Sequence, residues 1–178
     1  MKWFKRREKP QSSHICSVCG KVHAGLPTDF GCSLPDEVWA LGPEARQEHL
    51  NWSTDVCHHE GRWFIRGVLE VPFLFKNERF GWGVWAEVSE ETLERFRQVF
   101  DKDGSRCPRE SGKLANNVNF YGNTMDLPVD IQFGPSDKRP LFYLTSACQH
   151  SFANDQRSGI TEERYHEILS VIAPNSLK

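Results

Sequence analysis

With 178 residues, 38% hydrophobic and 26% charged, the chain can bury a core without relying on disulfides or metal. Net charge is −2, split into +4 on the first ten residues and −6 on the rest, and so acidic a body argues against a general nucleic-acid binder, which must neutralise phosphates. No apolar run approaches the roughly 20 residues of a bilayer span and no signal-peptide core follows Met1, so a cytoplasmic protein with reduced cysteines is expected.

Residues 1–13 read as a flexible basic lead, and residues 14–174 as a single globular domain with an aromatic core drawn from 12 Phe and 6 Trp. Residues 14–36 are rich in turn formers: Gly20, Gly25, Pro27, Gly31 and Pro35. A short helix is expected over 42–49, with Pro43 in its first turn, where the missing N–H costs nothing. Residues 61–72 are aromatic and β-branched and end at Pro72, which predicts a strand. Residues 80–88 predict a second, with Phe80, Trp82, Val84, Ala86 and Val88 on one face by the period of two. Gly81 and Gly83 fall on the other face and leave room for a neighbouring ring or backbone. The link Lys76-Asn77-Glu78-Arg79 suits a hairpin.

A helix is predicted to start after Ser89, which can cap it, with Glu90 and Glu91 at its positive end and Leu93, Phe96, Val99 and Phe100 as its apolar stripe. Residues 101–126 look irregular. Strands are expected over 129–133 and 141–145 with a turn at Gly134-Pro135-Ser136-Asp137. The last helix starts from Thr161, carries Tyr165, Ile168, Leu169 and Ile172 on one face, and stops at Pro174. The fold class is α+β: a mainly antiparallel sheet, a few packed helices, and a Cys-x-x-Cys knuckle near the N-terminus.

Three phrases, Cys16-x-x-Cys19-Gly20-x-x-His23-x-Gly25-Leu26-Pro27, Phe64-Ile65-Arg66-Gly67-Val68-Leu69-Glu70-Val71-Pro72 and Phe80-x-Trp82-Gly83-Val84-Trp85, precede a fourth, Gln156-Arg157-Ser158-Gly159-Ile160-Thr161. In that order they resemble the bacterial "domain of unknown function 2199" family from about residue 14 to 173. The resemblance implies a bacterial protein of similar size. It carries no assigned activity and no list of catalytic residues.

The turn Cys16-Ser17-Val18-Cys19-Gly20 reads as half of a structural zinc site, since two thiolates at this spacing can meet one ion and four ligands complete a tetrahedron. There is no second Cys-x-x-Cys. His23 and Cys57 are the expected completing ligands, with Cys32, His58, His59 and His150 as alternatives. Buried reduced thiols are the plain alternative, and a redox dithiol lacks the following helix that would lower a thiol pKa.

Arg66 either binds an anion or carboxylate, or pairs with Glu87 across the hairpin, the reading favoured here. His150, Asp155, Gln156 and Arg157 read as a capping loop, with Gly159 turning, Thr161 capping and Arg157 bonding carbonyls, in preference to acid–base machinery. Trp82 and Trp85 point to opposite faces of their strand; one belongs to the core, and the other is expected to be covered in preference to forming an exposed platform. Cys107 and Cys148 have no partner by spacing. These features suggest a zinc-stabilised module that binds a partner protein, the alternative being a small metal-dependent, hydrolase-like enzyme using the Cys/His site.

Overall fold

The computed structural model describes residues 13–15, 22–24, 26–49 and 51–174. The basic lead, Ser13 apart, lies outside them. Among the described residues, β1 (Ser13–Ile15) pairs antiparallel with β2 (Val22–Ala24). Next come β3 (Asp29–Gly31), a single helical turn α1 (Asp36–Trp39), and α2 (Pro43–His49), which begins at Pro43 as expected. β4 (Asn51–Trp52) and β5 (Val56–His59) lead into the long strands β6 (Arg62–Pro72) and β7 (Arg79–Val88). Helix α3 (Glu90–Val99) follows, capped by the Ser89 hydroxyl, which accepts the Thr92 N–H at 3.2 Å. β8 (Glu110–Leu114), β9 (Pro128–Gln132) and β10 (Leu141–Leu144) complete the strands. The chain then forms α4 (Ser151–Ser158) and α5 (Glu162–Ile172).

The class is α+β, but the sheet differs from a simple antiparallel one. β6, β7, β8, β9 and β10 close into a five-stranded barrel, because β6 pairs antiparallel with β7 along its length and parallel with β10 at Val68↔Leu141. β5 and β4 extend from the other end of β6, and β3 lies parallel against β7. Closure satisfies backbone groups that an open sheet would leave on its edges. The switch of partner is abrupt: the Arg66 N–H donates to the Asp55 carbonyl just before β5, and the Val68 N–H donates to the Pro140 carbonyl just before β10, both at 2.9 Å.

The period of two holds on both long strands. Ile65, Leu69 and Val71 of β6 and Phe80, Trp82, Val84 and Ala86 of β7 fill the barrel with Leu114, Val129, Ile131, Phe142 and Leu144. One end is plugged by Leu93 and Phe96 of α3, where Phe96 meets Phe133 with ring centroids 5.6 Å apart. At the other end Tyr165 of α5 packs on Phe73 at 4.8 Å, and Phe152 of α4 meets Trp82 at 6.0 Å. A smaller core covers half the outer face, where Phe64 and Trp85 are enclosed by Leu34, Val38, Cys57 and Ala115. Both tryptophans of β7 are therefore buried, Trp82 inside and Trp85 outside.

The hairpin register replaces the expected Arg66–Glu87 pair. Arg66 stands opposite Trp85, and Glu87 opposite Phe64. Glu87 is instead taken by Arg62, which also binds Glu37 of α1 and so ties the helical turn to the barrel. Hydrogen bonding to Arg62 holds the Glu87 carboxyl below the usual carboxylate range.

Gly67 faces into the barrel beside β10, and a Cβ there would lie 2.3 Å from Cε1 of Phe142. A Gly67→Ala substitution is expected to cost about 3 kcal/mol by overpacking. Combining it with Phe142→Leu should return part of that loss, read as the midpoint of urea unfolding; equal losses in the single and double variants would place the strain elsewhere.

Candidate functional site

The zinc reading falls largely outside the described residues. Cys16 and Cys19 lie there; β1 and β2 pair on either side of that segment, with His23 of β2 opposite His14. Cys57 is fully buried in the small outer core, and burial, assisted by Glu37, pushes its thiol up to about 11. Cys32 is half-buried, and burial, with the Asp36 carboxylate adding to it, pushes its thiol up to about 11 as well. His58 stacks on Trp63 with centroids 3.8 Å apart, and His59 lies 3.9 Å from Glu60. Among the described residues, no group of three or more His, Cys, Asp or Glu could hold a metal ion.

The segment 148–161 is structural, as its turn and cap residues suggested. His150 caps α4 by accepting the Phe152 N–H on Nδ1 at 3.2 Å. Gly159 takes φ +80°, and the Thr161 hydroxyl accepts the Arg164 N–H. Arg157 donates to the Cys148 carbonyl at 3.1 Å and to that of Thr145 at 3.5 Å. Gln156 supplies what the barrel lacks beyond Leu141: Oε1 accepts the Leu144 N–H and Nε2 donates to the Phe142 carbonyl, each at 2.8 Å. Asp155 is committed too, accepting from the Tyr121 hydroxyl at 2.9 Å and Arg164 Nε at 3.0 Å.

A different constellation builds the most distinct surface feature. β8 parts from β7 after Leu114, leaving the Trp85 N–H in need of an acceptor, and fully buried Asn116 supplies it through Oδ1 at 2.8 Å. Its Nδ2 donates to the Leu34 carbonyl at 2.9 Å and to Asp36 Oδ1 at 2.8 Å. Asp36 Oδ2 accepts the Asn117 N–H at 2.7 Å, and Asn117 Oδ1 accepts the N–H groups of Thr124 and Met125. The buried Thr124 hydroxyl closes the loop, donating to the Asn116 carbonyl at 2.7 Å and accepting the Val118 N–H at 2.8 Å. This network fixes the 32–36 turn against the 115–124 loop.

Between those two segments opens a cavity of about 360 Å³ lined by Phe30, Trp39, Trp82, Val118 and Ile172, with Asp36 and Asn117 among its polar atoms. Trp39 is 57% exposed and Phe30 43%, so two large apolar side chains stand in water at one opening. The Arg46 guanidinium lies 4.5 Å from the Trp39 ring centroid and steadies it. Cavities of this size accept a small molecule or an anchoring side chain. Sequence reading missed the feature because its apolar members, Phe30, Trp39, Trp82, Val118 and Ile172 among them, come from separated segments.

Asn116→Ala is expected to lower stability by about 3 kcal/mol, since it strands the Trp85 N–H and the Leu34 carbonyl in the interior. Urea unfolding measures the loss; a change below about 1 kcal/mol would mean that neighbouring groups or water take over these bonds.

No helix among the described residues is long and apolar enough to cross a membrane. No curated protein and no solved structure matches the chain. A family described as "Uncharacterized protein conserved in bacteria (DUF2199)" matches residues 15–160, which include the Cys-x-x-Cys sequence and both long barrel strands, and the chain belongs to that family.

Proposed function

We propose that this protein is a binding module that recognises another protein through the cavity edged by Phe30 and Trp39. The observation that carries this reading is the pairing of two exposed aromatics with a preformed cavity. Buried aromatic anchors dominate the energetics of protein interfaces, and a pocket that is already open loses little on ordering. The Asn116–Asp36–Asn117 network supports the walls, so the opening is set by hydrogen bonds and not by the occupant. The lining is more apolar than polar, and the Asp36 carboxylate is already bonded, which favours an apolar or aromatic side chain without charge as the part of the partner that enters.

Zinc at Cys16, Cys19, His23 and Cys57 is part of the same proposal, as a structural ion. The antiparallel pairing of β1 with β2 supports it, since it brackets the Cys-x-x-Cys turn as the two arms of a knuckle do.

Two measurements test these statements separately. Trp39→Ala and Phe30→Ala should leave the unfolding midpoint within about 0.5 kcal/mol of the parent, because both side chains are exposed. Each should weaken a partner isolated with the parent protein by roughly tenfold or more, as interface aromatics do. Unchanged affinity in both variants would remove the cavity from recognition. Elemental analysis should find one zinc per chain, about one atom in keeping with a single four-ligand site, and Cys16→Ser should abolish it. Zinc retained in Cys57→Ser but lost in Cys16→Ser would confine the ligands to the hairpin; no zinc in the parent would discard the ion while leaving the recognition surface standing.

A further inference from the structure

The other half of the outer barrel face is built quite differently from the half covered by α1. Arg66 projects there from β6, opposite Trp85, and its guanidinium reaches across β7 toward β3. A Cβ on Gly31 would lie 3.1 Å from Nη2 of Arg66, and one on Gly83 would lie 3.9 Å from Nη2 and 3.3 Å from the Gly31 Cα. Neither glycine has a positive φ, so what matters at both is the missing side chain and not backbone freedom. The two strands thus present a bare floor on which a guanidinium lies.

That guanidinium donates to no carboxylate among the described residues, and its buried Nε has no hydrogen-bond partner. The nearby acids are already engaged. Asp55 attracts Arg66, but its Oδ1 accepts from Arg139 Nε at 2.8 Å and its Oδ2 from the Thr54 hydroxyl at 2.6 Å. Glu70, four residues further along β6, faces Arg79 at 3.6 Å, and Glu87 is held by Arg62. Two guanidinium groups, Arg66 and Arg139, therefore share one carboxylate, and the second of them repels the first. A half-buried cation without a charge-assisted acceptor lowers stability. Functional sites retain such groups because the missing acceptor arrives with the ligand. A cavity of about 800 Å³ is lined by Asp55, Val68, Glu70 and Arg139, among the charged neighbours of Arg66, though not by Arg66 itself.

We propose that Arg66, supported by Arg139, holds an oxyanion, a carboxylate or phosphate group of a small ligand, against the floor made by Gly31 and Gly83. The planar fork of Arg66 gives such a group two parallel N–H donors. Arg139 supplies the second positive charge while Asp55 fixes its position. The glycines let the guanidinium itself lie close to the strands. This site does not rest on the protein-recognition reading, which concerns Phe30 and Trp39, although Gly31 borders that cavity too.

The test is calorimetric titration of the full chain with inorganic phosphate and with malonate, at constant ionic strength. The variants are Arg66→Gln, Arg66→Lys, Gly31→Ala and, as a control, Arg95→Gln, which removes a guanidinium that pairs with Glu110 elsewhere. Saturable binding of at least one anion is expected, with phosphate and malonate telling a phosphate-bearing ligand from a carboxylate. Arg66→Gln should weaken it by roughly tenfold or more, Arg66→Lys by less, and Arg95→Gln not at all. Gly31→Ala should weaken it by displacing the guanidinium. In anion-free buffer Arg66→Gln should melt at the parent temperature or above it, because a poorly compensated charge has been removed. The proposal is overturned by absence of saturable binding of both anions, by equal binding in Arg66→Gln, or by equal weakening in Arg95→Gln. A clearly lower melting temperature for anion-free Arg66→Gln would likewise overturn it, by making Arg66 a structural residue.

Discussion

The fold depends on the exchange of partners along one edge of β6. Over two residues, Arg66 to Val68, the backbone passes from bonding the segment before β5 to bonding the segment before β10. Because β7 occupies the opposite edge throughout, that exchange closes β6–β10 into a ring and leaves β5 and β4 outside it. The close approach of β10 is sterically possible only where β6 has no side chain, which is Gly67, under the ring of Phe142. Only one residue pair joins β10 to β6, so much of the edge is completed by the side-chain amide of Gln156, acting as a fragment of strand. Helix α4 is thereby bonded to the barrel as well as packed against it.

A second substitution of side chain for strand shapes the surface. Asn116 continues the β7 ladder where β8 turns away, and its remaining amide protons reach the 34–36 turn. One buried amide thus couples the barrel wall to the segment between β3 and α1. Its consequence is geometric: Phe30 precedes that segment and Trp39 follows it, so the two exposed aromatics are placed on either side of a fixed cavity. Buried amides satisfied on every side give rigid, specific positions.

Legibility in the sequence followed locality. β6 and β7 were readable because their alternation is long and strict, and α3 and α5 because Ser89 and Thr161 cap within three residues of their own position. Pro43 marked α2 for the same reason. β8 was missed because Leu114 is its only buried member, and β3 because all its residues are exposed. α4 passed for a loop since its cap is a histidine, outside the usual set of short oxygen-bearing caps. Closure of the barrel was not legible at all: a period of two tells which face a residue occupies, not which strand lies beside it. The same limit hides which face a neighbour takes and misplaced one pairing. Cys57 and His58 are adjacent in sequence but on opposite faces of β5, one in the small core and the other stacked on Trp63. Arg66 and Glu87 have complementary charge, yet the hairpin register sets each opposite an aromatic residue.

The two halves of the outer face differ in a way that packing alone does not require. Where α1 covers the strands, the outward residues are Phe64 and Trp85, and the surface is closed by Leu34 and Val38. Where nothing described covers them, the outward positions are Gly81 and Gly83 beside Gly31 of β3, with Arg66 laid across. Glycine within a strand sacrifices β propensity and side-chain packing, and an exposed outer face would accept Thr or Lys at less expense. Gly81 has only ordinary contacts around its missing Cβ, at 3.5 Å or more, and would admit Ala. Gly31 and Gly83 are tighter, since a Cβ there would lie 3.1 Å from Nη2 of Arg66 and 3.3 Å from the Gly31 Cα, respectively, so the guanidinium or the neighbouring strand would have to give way. The steric need is therefore confined to the two positions beneath the cation. A chain that clears the floor under one half-buried charge, while leaving that charge short of acceptors, is arranged around a group supplied from outside.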